Sequence, residues 1–91
     1  MIERAVVLGN KHGLHARPAA EFVKLASRFA SDVNLTKDEL TIDGKSIMGV
    51  MMLAAECGST IVLTVEGPDE NEAATELIRF LESETLEGIT P

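Results

Sequence analysis

Positions 13 to 18 read Gly-Leu-His-Ala-Arg-Pro. An imidazole nucleophile, a guanidinium two positions on and a proline suit one task, the holding of a phosphoryl group at the start of a helix. Proline is tolerated in a helix's first turn, where backbone N–H groups lack intrahelical partners. Pro18 therefore falls just inside a helix and His15 near its N-cap. Ser, Thr, Asp and Asn are the usual caps, so a histidine gives up some helix stability there and points to selection for something other than capping. A helix start carries partial positive charge and free donors, here those of Ala16 and Arg17, which would solvate a phosphate on the imidazole. The same field favours the neutral, nucleophilic form of an imidazole over its cation. Each such contribution is only about 0.3–1 kcal/mol at an exposed site, small enough for the group to be carried reversibly. Arg17 meets phosphate oxygens as a planar, permanently charged fork. Of His12 and His15, only the second has such a partner.

The segment Gly13-Leu14-His15-Ala16-Arg17-Pro18-Ala19, followed by Gly44-Lys45-Ser46-Ile47-Met48-Gly49, resembles the histidine-containing phosphocarrier (HPr) family of the bacterial phosphoenolpyruvate:sugar phosphotransferase system. The resemblance runs from about Ile2 to about Leu81. In that family the histidine takes a phosphoryl group from Enzyme I on Nδ1 and passes it to the IIA component of a sugar transporter. The resemblance thus implies that His15 is the carrier, with Arg17 as its electrostatic partner. It implies that Ser46 is a regulatory serine, the substrate of an ATP-dependent HPr kinase/phosphorylase in some lineages, with a transcription regulator as a further partner. Such a protein is a carrier without turnover of its own, needs no cofactor and is by default a monomer. A nitrogen-related or signalling-only paralogue would share the same chemistry. A small ligand-binding regulatory α+β domain, a different class, would leave the hexad unexplained. His12 departs from the small polar residue that many members carry there; it could tune His15 or accept a phosphate aberrantly, and its plain reading is an exposed loop residue.

Gly44-Lys45-Ser46 suggests a nucleotide-binding P-loop, but that motif needs a glycine at the position of Glu39. Ser46 is instead a good N-cap, with a hydroxyl placed to accept from the N–H of Met48 or Gly49. A phosphate on it would add about −1.5 to −2 charges where the helix dipole favours them. The fold should survive, and the docking surface should change. Val50 and Leu53, three apart, can bury the short helix after Ser46, which leaves Ile47, Met48 and Met51 on another face, with Met52 less firmly placed. Flexible thioethers suit a surface that accepts several partners in turn. Leu14, an apolar residue on a loop, joins that patch, and the expected partner-binding set is Leu14, Ala16, Ala20, Lys24, Ile47, Met48 and Met51.

The elements that must position these groups follow from periodicity. Residues 2 to 8 read as a strand. Ala19, Phe22, Val23, Ala26 and Phe29 recur on one face of a helix over 16–29, and Arg17, Glu21, Lys24 and Arg28 form its polar stripe. Val33 and Leu35 alternate with polar residues, as do Leu40 and Ile42, giving a hairpin about Asp38-Glu39. Residues 60 to 66 alternate again, with Ile61, Leu63 and Val65 on one side. Asp69 and Glu72 form a capping box for a last helix to about Glu82, with Ala73, Ala74, Leu77, Phe80 and Leu81 facing the core. One-sided alternation implies a sheet covered on one face. The expected fold is an α+β open-faced sandwich of four strands and three helices, and the resemblance implies an antiparallel sheet with the helices on one face.

Ninety-one residues with 45% hydrophobic content make one domain, 1–91, with 85–91 a frayed tail. Net charge is −7, unevenly spread: seven Lys/Arg face six Asp/Glu through Ser46, against one Arg and nine acids from Ile47 onward. The basic residues cluster around the histidine. With no Trp or Tyr and no basic patch, the chain is a poor nucleic-acid binder. There is no long apolar run and no basic stretch before an apolar one at Met1-Ile2-Glu3-Arg4, so no membrane insertion and a soluble, cytoplasmic protein are expected. Cys57 stands alone, which leaves it a reduced thiol. His12 and His15 have a zinc-like spacing, but three or four ligands are needed and no other His and no nearby Cys supplies them, so no metal site is expected.

Overall fold

Ile61, Leu63 and Val65 are fully buried along one side of a strand, β4 (Thr60–Glu66), that forms the middle of a four-stranded sheet. The computed structural model describes residues 1–83, and the tail expected over 85–91 lies outside them. Around β4 the chain runs β1 (Ile2–Val7), α1 (Ala16–Ala26), β2 (Asp32–Lys37), β3 (Leu40–Asp43), α2 (Ile47–Met52), then β4 and α3 (Glu70–Glu82). Sheet order is β1-β4-β2-β3, and every neighbouring pair is antiparallel. β1 and β2, both antiparallel to β4, therefore run parallel to each other, with α1 connecting them.

Register aligns the apolar rows. Val33 faces Val65, which faces Ile2; Ile42 faces Leu35, which faces Leu63; Ile61 faces Val6. These residues join Ala19, Phe22 and Ala26 of α1, Val50 of α2 and Ala73, Leu77 and Leu81 of α3 in one core, so all three helices cover the same face. Burying a side chain of this size contributes about 1.5–3 kcal/mol. The rings of Phe22 and Phe80 meet edge to face, centroids 5.8 Å apart at 64°, and fix α1 against α3. On the other face Thr41 is exposed and Thr36 half-buried, and the two share a 2.8 Å hydroxyl contact. The result is the open-faced α+β sandwich expected from the alternation.

Three local expectations need correction. The helix expected to reach Phe29 ends at Ala26. Arg28 and Phe29 bond three residues back, to Leu25 and Ala26, so the chain tightens into turns while Phe29 still packs on the core. In the hairpin, whose two-residue loop puts Asp38 at φ 57, Ile42 packs on the core but Leu40 at the sheet edge remains exposed. The capping box at Asp69 does not form. Asp69 is the N-cap residue of α3, yet its side chain makes no cap bond. It accepts instead from the Ser31 hydroxyl at 2.5 Å, the Ser31 N–H at 3.0 Å and the Ala30 N–H at 2.9 Å. These donors, the Ser31 hydroxyl foremost, hold its carboxyl below the usual carboxylate range. Glu70 is lowered likewise, first by the Gly67 N–H and then by the chain's own N-terminal ammonium. A partner 38 residues away in sequence outcompetes the local cap.

Candidate functional site

His15 is the N-cap of α1, with extended backbone (φ −80, ψ −165) and no side-chain bond to the helix it precedes. Its carbonyl accepts the first helical hydrogen bond from Ala19 at 2.8 Å. Pro18, the third helical residue, has no N–H to offer. The N–H groups of Ala16 and Arg17 remain at this end, with that of His15 itself, and no acceptor among the described residues takes any of them. Beside them the His15 imidazole is exposed and makes no hydrogen bond. Arg17 is exposed as well and forms no ion pair among the described residues. An exposed imidazole, the unclaimed N–H groups of Ala16 and Arg17 and a guanidinium in no ion pair therefore stand together in sequence at the start of α1.

What holds that corner is a short loop that passes through the core. Leu14, expected in the exposed docking patch, is only 2% exposed. Its side chain belongs to the hydrophobic core and its N–H donates to Ala55 at 3.0 Å. A lone apolar side chain gains more from burial than from exposure on a loop, and here it anchors the residue that precedes the histidine. Gly13 makes this approach feasible. It sits at φ +74, and a Cβ there would lie 2.5 Å from the Ala55 carbonyl oxygen. Asn10, itself buried, closes the turn: its carbonyl accepts from Gly13 at 3.0 Å and its side chain from the His12 N–H at 2.9 Å. Sequence reasoning missed Asn10 and Gly13 as determinants, although an Asn three residues before a Gly is itself a turn signal.

The segment tied to Leu14 is the one that follows α2. Ser46 caps this helix, accepting from the Gly49 N–H at 3.0 Å, which leaves its hydroxyl proton free. Val50 and Leu53 are buried, while Ile47, Met48, Met51 and also Met52 are exposed, Met48 to 73%. Ala16 and Lys24 are exposed and Ala20 half-buried on α1, which packs on α2. Lys24 lies 3.9 Å from Glu21, a loose surface pair of little energetic weight. Of the expected partner-binding set, all but Leu14 thus offer surface. One further contact escaped the sequence. Lys45 donates to the Phe29 carbonyl at 2.8 Å and so ties the turn before Ser46 to the turns that follow α1.

Against known proteins, a family model described as "PTS HPr component phosphorylation site" matches residues 2–83. The phosphocarrier protein HPr of Cupriavidus necator is 46% identical over 88 residues, 97% of this chain and 99% of its own. The chain belongs to the HPr family. The crystal structure of HPr from Bacillus anthracis superposes with a TM-score of 0.86 at 45% identity, covering 88% of this chain and 95% of that one. Crh of Bacillus subtilis, a catabolite-repression protein solved as a dimer with a swapped domain, superposes at 0.75 with 45% identity, over 94% and 99%. Family membership makes this protein a phosphocarrier of the phosphotransferase system and not an enzyme. No described helix is long and apolar enough to cross a membrane.

Proposed function

We propose that His15 is the residue that carries the phosphoryl group, received from phosphoenolpyruvate-charged Enzyme I and passed to IIA components of sugar transporters. The observation that carries this reading is the pair of unclaimed N–H groups, Ala16 and Arg17, beside an exposed imidazole that does not cap its own helix. In the transfer the Nδ1 lone pair of His15 forms the new N–P bond. The donor's N–P bond breaks, and its electron pair returns to the donor imidazole. Arg17 and the two N–H groups are positioned for the charge on the three phosphoryl oxygens, so the protein contributes orientation and electrostatics rather than covalent chemistry.

Partners dock on the exposed face of α2, Ile47, Met48 and Met51, together with Ala16, Ala20 and Lys24 of α1. The contact is small and short-lived, as a relay requires. The protein acts in the cytoplasm as a monomer. Phosphorylation of Ser46 by an HPr kinase/phosphorylase would put an anion at the start of the docking helix and weaken that contact, and the likeness to Crh supports such a regulatory role beside the carrier role.

The test is incubation of the purified protein with Enzyme I and phosphoenolpyruvate. An acid-labile phosphate is expected on the wild type and not on His15→Ala, whose fold persists. Labelling of His15→Ala by Enzyme I would assign the carrier role to another residue.

A further inference from the structure

His12 is the group on the site loop for which the relay has no use so far. It stands three residues before His15 and, like it, is exposed. Both flanks of His12 are pinned: Asn10 is buried and closes the turn, Gly13 abuts Ala55, and Leu14 is in the core. The turn engages His12 only through its backbone N–H. Its imidazole makes no hydrogen bond or ion pair among the described residues. Three residues of chain separate the two Cα atoms by at most about 11 Å, a gap that two imidazole side chains with a phosphoryl group between them can close. The neighbouring charged and titratable groups are Lys11 on the same turn, Glu56 and Cys57 on the segment packed against it, and His15 and Arg17 beyond it.

We infer that His12 is a second phosphate contact, whose protonated imidazole donates to an oxygen of the phosphoryl group on His15 and so favours the phosphorylated form as pH falls. This rests on the carrier reading of His15. An unperturbed imidazole titrates between pH 5 and 8, and a phosphoryl dianion beside it favours its cationic form. Linkage makes the effect reciprocal: whatever the phosphate does to the proton affinity of His12, the proton does to the stability of the phosphorylated state. The contribution is full below the titration midpoint of the free protein and fades as pH rises through the higher midpoint of the phosphorylated one.

Imidazole titration followed by NMR, on the free protein and on the protein phosphorylated by Enzyme I, reads this directly. The His12 midpoint is expected to rise by about one pH unit on phosphorylation. In equilibrium with Enzyme I and a fixed phosphoenolpyruvate:pyruvate ratio, the ratio of phosphorylated to free protein, wild type divided by His12→Asn, should then be several-fold larger at pH 6 than at pH 8. Dividing by the variant removes the pH response of Enzyme I. A His12 midpoint that stays put while His15 carries phosphate would overturn the inference alone. The absence of any acid-labile phosphate on His15 would overturn it together with the carrier reading.

Discussion

The starts of α1 and α2 lie on helices that pack together, yet their cap side chains are used oppositely. At α2 the cap is a serine that satisfies the Gly49 N–H, and the turn before it is tied by Lys45 to the turns that follow α1. At α1 the cap is a histidine whose side chain satisfies nothing, and the first two N–H groups remain open, as those of Ile47 and Met48 do at α2. A cap side chain bonded to its own helix is finished as structure, whereas an unengaged imidazole beside open donors leaves both for a ligand. The start of α3 is a third solution, in which Asp69 abandons its own helix to bind Ser31 and Ala30. Stability is therefore invested at α2 and α3 and withheld at α1.

The largest expected effect breaks the comparison at its support. Leu14→Ala should cost about 2–5 kcal/mol in urea unfolding, because it empties a core position. A change within about 0.5 kcal/mol would return Leu14 to the surface patch. Next comes the α3 anchor. Asp69 is held below its ordinary range, so its stabilisation is present above that range and is lost as pH falls through the folded-state value. The stability gap between wild type and Asp69→Ala should accordingly be full at neutral pH and close in acid. A gap that stays constant with pH would show that the carboxylate's charge is not what Ser31 and Ala30 hold.

Smaller effects set the two caps against each other. Ser46→Ala should lower stability by about 1 kcal/mol, since it removes the acceptor for Gly49. His15→Asn should raise it by about 0.5–1 kcal/mol, since it supplies α1 with the cap it lacks. Thermal melts of the two variants should therefore move in opposite directions. Melts that both fall would mean that His15 already serves its helix.

Much of this was legible because it is local. The alternation at Ile61, Leu63 and Val65 and the helical recurrence at Ala19, Phe22 and Ala26 each report one face, and each face is buried. Caps are local too, so the positions of His15 and Ser46 at helix starts could be read from a few neighbours. Single residues answering to distant partners could not. Leu14 has no periodic companions on its loop, so nothing nearby distinguished burial from exposure. Asp69 finds Ser31 across 38 residues and Lys45 finds Phe29 across 16, both through tertiary packing that no window covers. The end of α1 was missed for a related reason, since the apolar period continues to Phe29 after the hydrogen bonding has changed.

That the amides of Ala16 and Arg17 hold the phosphoryl group on His15 can be tested directly, because the two amides can be watched one by one. Amide NMR spectra and hydrogen exchange should be recorded before and after phosphorylation by Enzyme I. Both N–H resonances are predicted to move downfield and to exchange more slowly once His15 carries phosphate, while the Gly49 amide, already bonded to Ser46, stays as it was. Unchanged Ala16 and Arg17 amides in a protein phosphorylated on His15 would contradict it.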